Sequence, residues 1–464
     1  MKLNIYNTVC KVSDFSQQDI TALYKYLSFK DPRARFMKPV IEGRWDGVYR
    51  FLNKHRMSFP VGLLTKVTQF LSKQNITYEL VDHRTAPKAL SWFPTANIEL
   101  FPYQKRILNL VRDEIRGVIW LPVNAGKTYI AMKLVEHKAV RTLWIVPKQP
   151  IFAQTKKLLE ESFNTTVGLI GMGHKDIKSP ITLAMIQTLS KNQCADYNRM
   201  VSENFDMVLF DEVHRCGRNT YSRFISDIDV YYKFGMSGTP KHRDMIDLIS
   251  LEASFGDILV KMDNKQLQEY GVSATPDIRM IVMPPTKDLG KKPTYMDVYE
   301  ELIVQNEERN NLICVLAQKN VEAGRRVLIL VDRIAHGENV LAKLQELGVT
   351  KSQFIYGEDS PAERRAALDN FELGNIEVLV SSTILNEGVN IPAIDCVIVA
   401  GAGKSPVKTV QRVGRALRTR IGKDKAYVID FYDEYNKYLS AHSNKRKATY
   451  EYEIGDVTMH ELKL

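Results

Sequence analysis

The sequence predicts an α/β chain: two tandem open parallel-sheet domains preceded by a small basic α/β domain. Three observations carry that expectation. Short apolar runs alternate with amphipathic stretches from about residue 103, the alternation starts afresh after residue 295, and the first hundred residues differ from both series in charge. Short apolar strands alternating with helices argue for sheets covered by helices on both faces.

At 464 residues the chain exceeds what one compact core accommodates. The expected domains are residues 1–90, 91–270 and 271–464. "RTAPKALSWFPTANIELFPYQ", punctuated by Pro87, Pro94 and Pro102, reads as the first connector. In the first open domain, "GVIWLP", "RTLWIVP", "ITLAMIQ", "FDMVLFDE" and "YKFGMSGTP" are buried-strand candidates. In the second, one long helical stretch from Met296 to Ala323 leads into "RRVLILV", followed by "SQFIYG", "IEVLVSS", "DCVIVAG" and "AYVIDF". Tandem domains of this type are expected to bind a ligand in the crevice between them.

Composition narrows the function. The chain is 44% hydrophobic and 25% charged, ordinary for a globular protein, and has no apolar run long enough to cross a membrane. "MKLNIYNTVCKVSDF" lacks the order of an export signal, so a cytoplasmic location and no membrane partner are expected. Cys10, Cys194, Cys216, Cys314 and Cys396 are scattered without ligand spacing, which predicts neither a disulfide framework nor a zinc site. The net charge is +10, and residues 1–100 hold 15 basic against 8 acidic residues. That imbalance argues for a polyanionic partner; a solvated surface is the plain alternative.

Three clusters bear chemistry. In "LPVNAGKT", Gly126, Lys127 and Thr128 sit where G-x-x-x-x-G-K-[ST] wants them, although Leu121 replaces the first glycine. A turn at a helix start aims backbone N–H groups and the positive end of the helix dipole at phosphate. "MVLFDEVHRC" delivers Asp211 and Glu212 to a strand end, suited to holding a metal near a triphosphate and orienting water. In "KTVQRVGRALRTR", Arg412, Arg415 and Arg418 recur every three residues and share a helix face. This is either a solvated or nucleic-acid-facing stripe or a set of arginine fingers, which contribute on the order of 10³–10⁵ in rate.

Taken in order, these pieces resemble the motifs of the superfamily 2 (DExD/H-box) helicases. "YQKRIL" is similar to the adenine-reading Gln element, "LPVNAGKT" to motif I, "IVPKQPIFAQ" to motif Ia and "AMIQTLS" to the DNA-contact motif after it. DEVH resembles motif II, SGT motif III, "LILVDRIAHGENV" motif IV, "SSTILNEGVNIP" motif V and "QRVGRALR" motif VI. The family also uses variants without the first glycine, so Leu121 does not remove the site. Asn124 and Asn390 stand where many members have Gly and Asp.

The resemblance implies RecA-like domains, ATP and Mg²⁺. Matched by position, it assigns nucleotide binding to Gln104, Asn124, Ala125, Gly126, Lys127, Thr128 and Gly388. Metal binding falls to Thr128 and Asp211, and catalysis to Lys127, Asp211, Glu212, Gln411, Arg415 and Arg418. His214, Ser237 and Thr239 are the implied coupling residues. Lys148, Gln187, Thr188, Arg333 and Thr383 are the implied nucleic-acid contacts.

From Lys30 to Arg56 the chain carries 8 basic and 3 acidic residues with Phe36, Trp45, Tyr49 and Phe51 between them. Cations neutralise phosphates and aromatic faces stack on opened bases, which nominates Arg44 and Trp45; a small domain with an aromatic core is the alternative. "GRWDG" followed by "FPVGL", with "NEERNNLI" and "HGENV" further on, resembles the UvsW-like phage helicases. That resemblance implies branch migration and fork remodelling on branched or double-stranded DNA, with phage recombination or single-strand-binding proteins as partners in the host cytoplasm. An RNA-remodelling ATPase and the translocating subunit of a restriction or defence complex stay open, because RNA preference rests on 2′-OH contacts that sequence does not display. Removal of residues 1–90 is expected to spare basal ATP hydrolysis and weaken action on branched DNA.

Overall fold

The structure is a computed structural model. It describes residues 1–464 apart from 123–124, 148, 191–193, 214–219, 239–244, 271–273, 285–288, 291–292, 383–393, 404–424 and 462–464. The chain divides into two compact units: residues 1–121 with 126–261, and residues 262–464 with 122–125. Among the described residues no helix is long and apolar enough to cross a membrane.

The first unit opens with a four-stranded sheet in the order Ser58–Pro60, Val9–Ser13, Lys2–Ile5 and Glu79–Asp82. Helices Gln17–Tyr26 and Leu64–Lys73 accompany it. Leu3, Cys10, Leu23, Val67 and Leu71 form its core, and Ala253, from far along the chain, packs into that same core. A side lobe, the hairpin of Ser28–Lys30 with Val48–Arg50, carries the basic segment.

The larger sheet of this unit has eight strands. Their order is His174–Asp176, Gly168–Gly171, Ile181–Met185, Thr142–Val146, Met207–Phe210, Tyr232–Ser237, Arg116–Trp120 and Ile258–Lys261. All pairs are parallel except the first. Thr142–Val146 and Met207–Phe210 are buried at every position, as strands covered on both faces must be. All five apolar runs marked as strands in this part of the sequence are strands.

The connector carries no helix or strand between residues 83 and 101, but it is pinned. Leu90 N–H donates to Ala139 O (2.8 Å), Asn97 N–H to Ser162 O (2.7 Å) and Lys133 Nζ to Ala96 O (2.8 Å). The four-stranded sheet and its helices are docked on the rest of this unit as well. Gly62 lies against the carbonyls of Glu252 and Ala253, where no side chain fits, and Lys66 Nζ is 3.3 Å from Glu252 Oε2. Asn7 Nδ2 donates to Asp229 Oδ1 (2.9 Å), and Arg116 Nη2 donates back to Asn7 O (2.8 Å).

The second unit is a seven-stranded sheet, parallel throughout, in the order Ser352–Ile355, Val378–Ser381, Val327–Leu330, Cys396–Val399, Lys425–Asp433, Thr275–Met283 and Val457–Glu461. The five strands read from sequence are all present. Thr275–Met283 is a sixth, nine residues long, in the stretch ahead of residue 295 where the sequence marked no strand. The single helix expected from Met296 to Ala323 is instead broken. A short helix, Tyr295–Tyr299, runs into a π-turn over Glu300–Val304, and a new helix, Glu307–Glu322, begins at Asn306. The break has a local cause: Asn306 Oδ1 accepts Arg309 N–H at 3.0 Å, the signature of a helix N-cap.

Candidate nucleotide site

Three adjacent parallel strands place the first unit's motifs along one edge of the sheet. Met207–Phe210 ends at Asp211, Tyr232–Ser237 ends at Ser237, and Arg116–Trp120 runs into the phosphate loop. Phe210 pairs with Gly235 and Ser237 with Trp120, so the strand ends are nearly level, and Leu121 N–H donates to Ser237 O (3.1 Å). Ligands of open α/β sheets bind at such carboxyl ends.

Gly126 begins the helix Lys127–Lys138 from a left-handed conformation (φ 67°, ψ 35°), which glycine adopts without strain. A Cβ at Gly126 would overlap Gln104 Nε2. Gln104 is buried at the start of the helix Pro102–Val111, where its Oε1 accepts Phe101 N–H (2.9 Å) and its Nε2 donates to the Tyr103 hydroxyl (3.2 Å). The sequence pointed to Gln104 as an adenine reader but not as the helix cap; the signal was its place as third residue of a helix opened by Pro102. Lys127 Nζ reaches back across its own loop to Leu121 O (3.4 Å), and Thr128 is half-buried in the first helical turn.

Asp211 is held by its N–H, which donates to Ile145 O (2.9 Å), and its Oδ1 accepts Glu212 N–H (2.9 Å). Glu212 sits at φ 58°, a left-handed conformation that costs a non-glycine residue energy and gathers at functional sites. Burial pushes the Asp211 carboxyl well above the usual range; the adjacent Glu212 charge adds to this, and Lys127 opposes it. A carboxylate so placed is relieved by a cation, and Thr128 and Asp211 are oxygen donors of the kind Mg²⁺ takes. Among the described residues no three His, Cys, Asp or Glu gather into a metal cluster, so a metal held here would draw on nucleotide oxygens as well.

The expected nucleic-acid contacts divide. Gln187 Nε2 is hydrogen-bonded to Pro147 O, so this amide ties the short helix Ile186–Leu189 to the chain just before Lys148. Thr188 stands beside Gly171, with its Oγ1 3.3 Å from where a Cβ would lie. Arg333, in the second unit, is exposed; its Nη2 is 3.1 Å from Met296 Sδ and its guanidinium lies over the Tyr299 ring. Arg44 is exposed and paired with Glu42. Trp45 is committed locally, its Nε1 donating to Val48 O (3.2 Å) and its ring edge-on to Tyr49. Asn124, Lys148, His214, Thr239, Thr383, Gly388, Gln411, Arg412, Arg415 and Arg418 lie outside the described residues.

Residues 97–242 match the family model of the type III restriction enzyme res subunit, and residues 307–420 match that of the helicase conserved C-terminal domain. The chain is a superfamily 2 helicase. It is an ATP-hydrolysing enzyme and has UvsW-like relatives. It is 24% identical over 471 residues to the ATP-dependent DNA helicase uvsW of Enterobacteria phage T4, covering 94% of this chain and 90% of that one. It is 27% identical over 340 residues to a Halobacterium salinarum protein named as a DNA 3′–5′ helicase, Rad25, covering 69% of this chain and about half (52%) of that relative's length. Among solved structures, the Hef helicase domain of Pyrococcus furiosus matches at a TM-score of 0.52 and 16% identity over 74% of this chain and 97% of that one, a likeness of fold.

Proposed function

We propose that this helicase is an ATP-driven DNA motor that remodels branched DNA, by branch migration and fork reversal, in phage replication, recombination or repair. The observation that carries the reading is the reach of the T4 uvsW match. It spans 94% of the chain, whereas the Rad25 match spans 69%. The basic first domain, residues 1–90, is the junction-holding part, and residues 91–270 and 271–464 are the two motor domains. DNA is held through phosphates by cations that include Arg44, with base stacking from aromatic side chains in the same lobe.

In this reading Gln104 selects adenine, and the loop around Gly126 cradles the phosphates with Asn124, Ala125 and Gly388. Mg²⁺, held by Thr128 and Asp211 together with phosphate oxygens, supplies charge neutralisation at the transferring phosphoryl group. Lys127 binds the β- and γ-phosphates, and Glu212 orients the attacking water. Gln411, Arg415 and Arg418 act on the γ-phosphate from the second motor domain. His214, Ser237 and Thr239 relay nucleotide state to the DNA contacts at Lys148, Thr188, Arg333 and Thr383. Gln187 contributes by holding Pro147 beside Lys148. The host cytoplasm is the expected site of action, with recombination or single-strand-binding proteins as partners.

The test is conversion of a synthetic mobile Holliday junction to duplex products by the full chain, with ATP and Mg²⁺. Conversion that stops with Lys127→Ala supports the reading. ATP-dependent unwinding of RNA duplexes with inert junctions would replace it.

A further inference from the structure

We propose that the open face of the four-stranded sheet in the first unit is a binding surface for single-stranded DNA, with His83 as the ring on which a base stacks. The inference deepens the reading above and rests on it only for DNA as the polymer.

Alternation along the strands divides this sheet into two faces. Leu3 and Ile5 on the strand Lys2–Ile5, and Cys10 and Val12 on Val9–Ser13, are buried in one core with Leu23 and Val67 of the two helices. The residues between them point the other way. Register sets Lys2 opposite Ser13 and Glu79, and Asn4 opposite Lys11 and Val81. Tyr6 and His83, one residue past their strand ends, continue these rows: Tyr6 N–H donates to Val9 O (2.9 Å) and His83 N–H to Ile5 O (3.0 Å). Lys11 and His83 are exposed, and Asn4 and Tyr6 are half-buried.

The side chains on this face hold one another in place. The Tyr6 and His83 rings stack, with centroids 5.0 Å apart and planes 10° from parallel. Lys11 Nζ lies over the Tyr6 ring, 5.0 Å from its centroid. Asn4 fixes the His83 ring: its Oδ1 is 3.1 Å from His83 Nε2, which donates because an amide oxygen only accepts. Asn4 Nδ2 in turn donates to Ser13 Oγ (3.2 Å). A ring held in this way loses little freedom when a ligand covers it.

A single strand is the polymer that matches this surface. Its bases have free faces, which stack on aromatic side chains whatever the sequence, and its phosphates take cations. A base on His83 extends the Tyr6–His83 stack by one ring. Lys2 and Lys11 supply the cations, against the one carboxylate of Glu79, which Lys2 approaches at 3.8 Å. In a duplex the base faces are covered by their neighbours. The platform also lies away from the nucleotide edge. Asn7, next to Tyr6, bonds Asp229, and the Arg84 guanidinium lies over the Tyr231 ring. Both contacts fall just ahead of the strand Tyr232–Ser237, whose other end is Ser237.

The experiment measures binding of the full chain, without nucleotide, to a labelled oligo-dT strand, a duplex of equal length and an oligo-U strand by fluorescence anisotropy across a salt series. Melting temperature is measured alongside. The expected result for His83→Ala is a loss of about tenfold on oligo-dT, the usual effect of one lost stack, and of less than about twofold on duplex. His83→Phe, which keeps a ring, should recover most of the loss. Lys11→Gln, a change at an exposed side chain, should lower the single-strand salt slope by about 0.7, the share of one phosphate, and serves if His83→Ala does not fold. Oligo-dT carrying 5-iodo-deoxyuridine, cross-linked by light, should leave its adduct on Tyr6 or His83 in peptide mass spectrometry. Unchanged oligo-dT affinity in His83→Ala, an equal loss on duplex, or no adduct at either ring overturns the proposal. Tighter His83-dependent binding of oligo-U than of oligo-dT overturns it together with the DNA reading. A His83-dependent grip on oligo-dT in a protein that leaves Holliday junctions unconverted supports this proposal and overturns branch remodelling.

Discussion

Gln104 Nε2 occupies the space that any side chain on Gly126 would need. The start of the helix Pro102–Val111 and the loop around Gly126 are therefore packed against each other. Gly126→Ala meets two penalties: this overlap, and a left-handed backbone that costs an L-residue roughly 1–2 kcal/mol. It is expected to weaken ATP binding at least tenfold while circular dichroism stays unchanged. Gln104→Ala removes the overlap and leaves the backbone penalty, so Gly126→Ala should lower the melting temperature less in the Gln104→Ala background than in the wild type. A calorimetric titration and a melting curve for each variant check both points.

The docking of the N-terminal four-stranded sheet changes what removal of residues 1–90 should do. The sequence alone predicts that deletion of residues 1–90 spares basal hydrolysis. Because Ala253 belongs to the core beneath that sheet and Gly62 is seated on the end of the Met245–Phe255 helix, deletion strips the cover from this helix. The truncated protein is expected to melt lower or precipitate. Gly62→Ala, which drives a methyl into the Glu252 carbonyl, should lower the melting temperature by about 2–4 °C for each kcal/mol lost. Unchanged melting of both would contradict the docking.

Lys233 is buried in the strand Tyr232–Ser237 and donates to the carbonyls of Ile225 (2.8 Å) and Ile228 (3.0 Å). A neutral amine has two hydrogens, which these two acceptors use. Burial, reinforced by the nearby Arg116 charge, lowers its pKa from 10.5 to about 7. Between those values the unfolded chain binds the proton that the folded chain has released, so this group makes stability rise with pH from about 7 to 10.5 and adds no pH dependence below that, where both states hold the proton. Lys233→Met should flatten that part of the melting-temperature profile. An unchanged slope would mean the amine stays charged.

Within the basic lobe, Phe36 rather than Trp45 is the ring available to a base, being 70% exposed while Trp45 is locked between Val48 O and Tyr49. Phe36→Ala is expected to cost about 1–3 kcal/mol of single-strand affinity, the usual worth of one stacked base. Arg44→Ala should weaken binding to all sequences alike and reduce the salt slope by about 1. Trp45→Ala should act mainly by lowering the melting temperature. Fluorescence anisotropy across a salt series separates the three.

The sheets were legible because their strands are continuous apolar runs, such as "LWIV" within Thr142–Val146, and period and length agree at those places. Asp211, Gly126 and Lys127 stood out because phosphate chemistry demands those residue types at strand and helix ends, and the structure places them at such ends. What escaped depends on partners far away in sequence. Thr275–Met283 pairs with Lys425–Asp433 over nine positions, and local prolines gave no hint of it. The hydrogen bond from Gln187 to Pro147 O likewise joins residues 40 positions apart, which no local pattern displays.

The central claim is a motor whose preferred substrate is branched DNA. Its most direct test is the rate of ATP hydrolysis by purified protein with fork, Holliday junction, linear duplex, single-stranded DNA and structured RNA in parallel, beside a Lys127→Ala control. The account predicts the largest stimulation by fork and junction, and no hydrolysis by the control on any substrate. Stimulation by RNA above DNA, or equal response to junction and linear duplex, would contradict it.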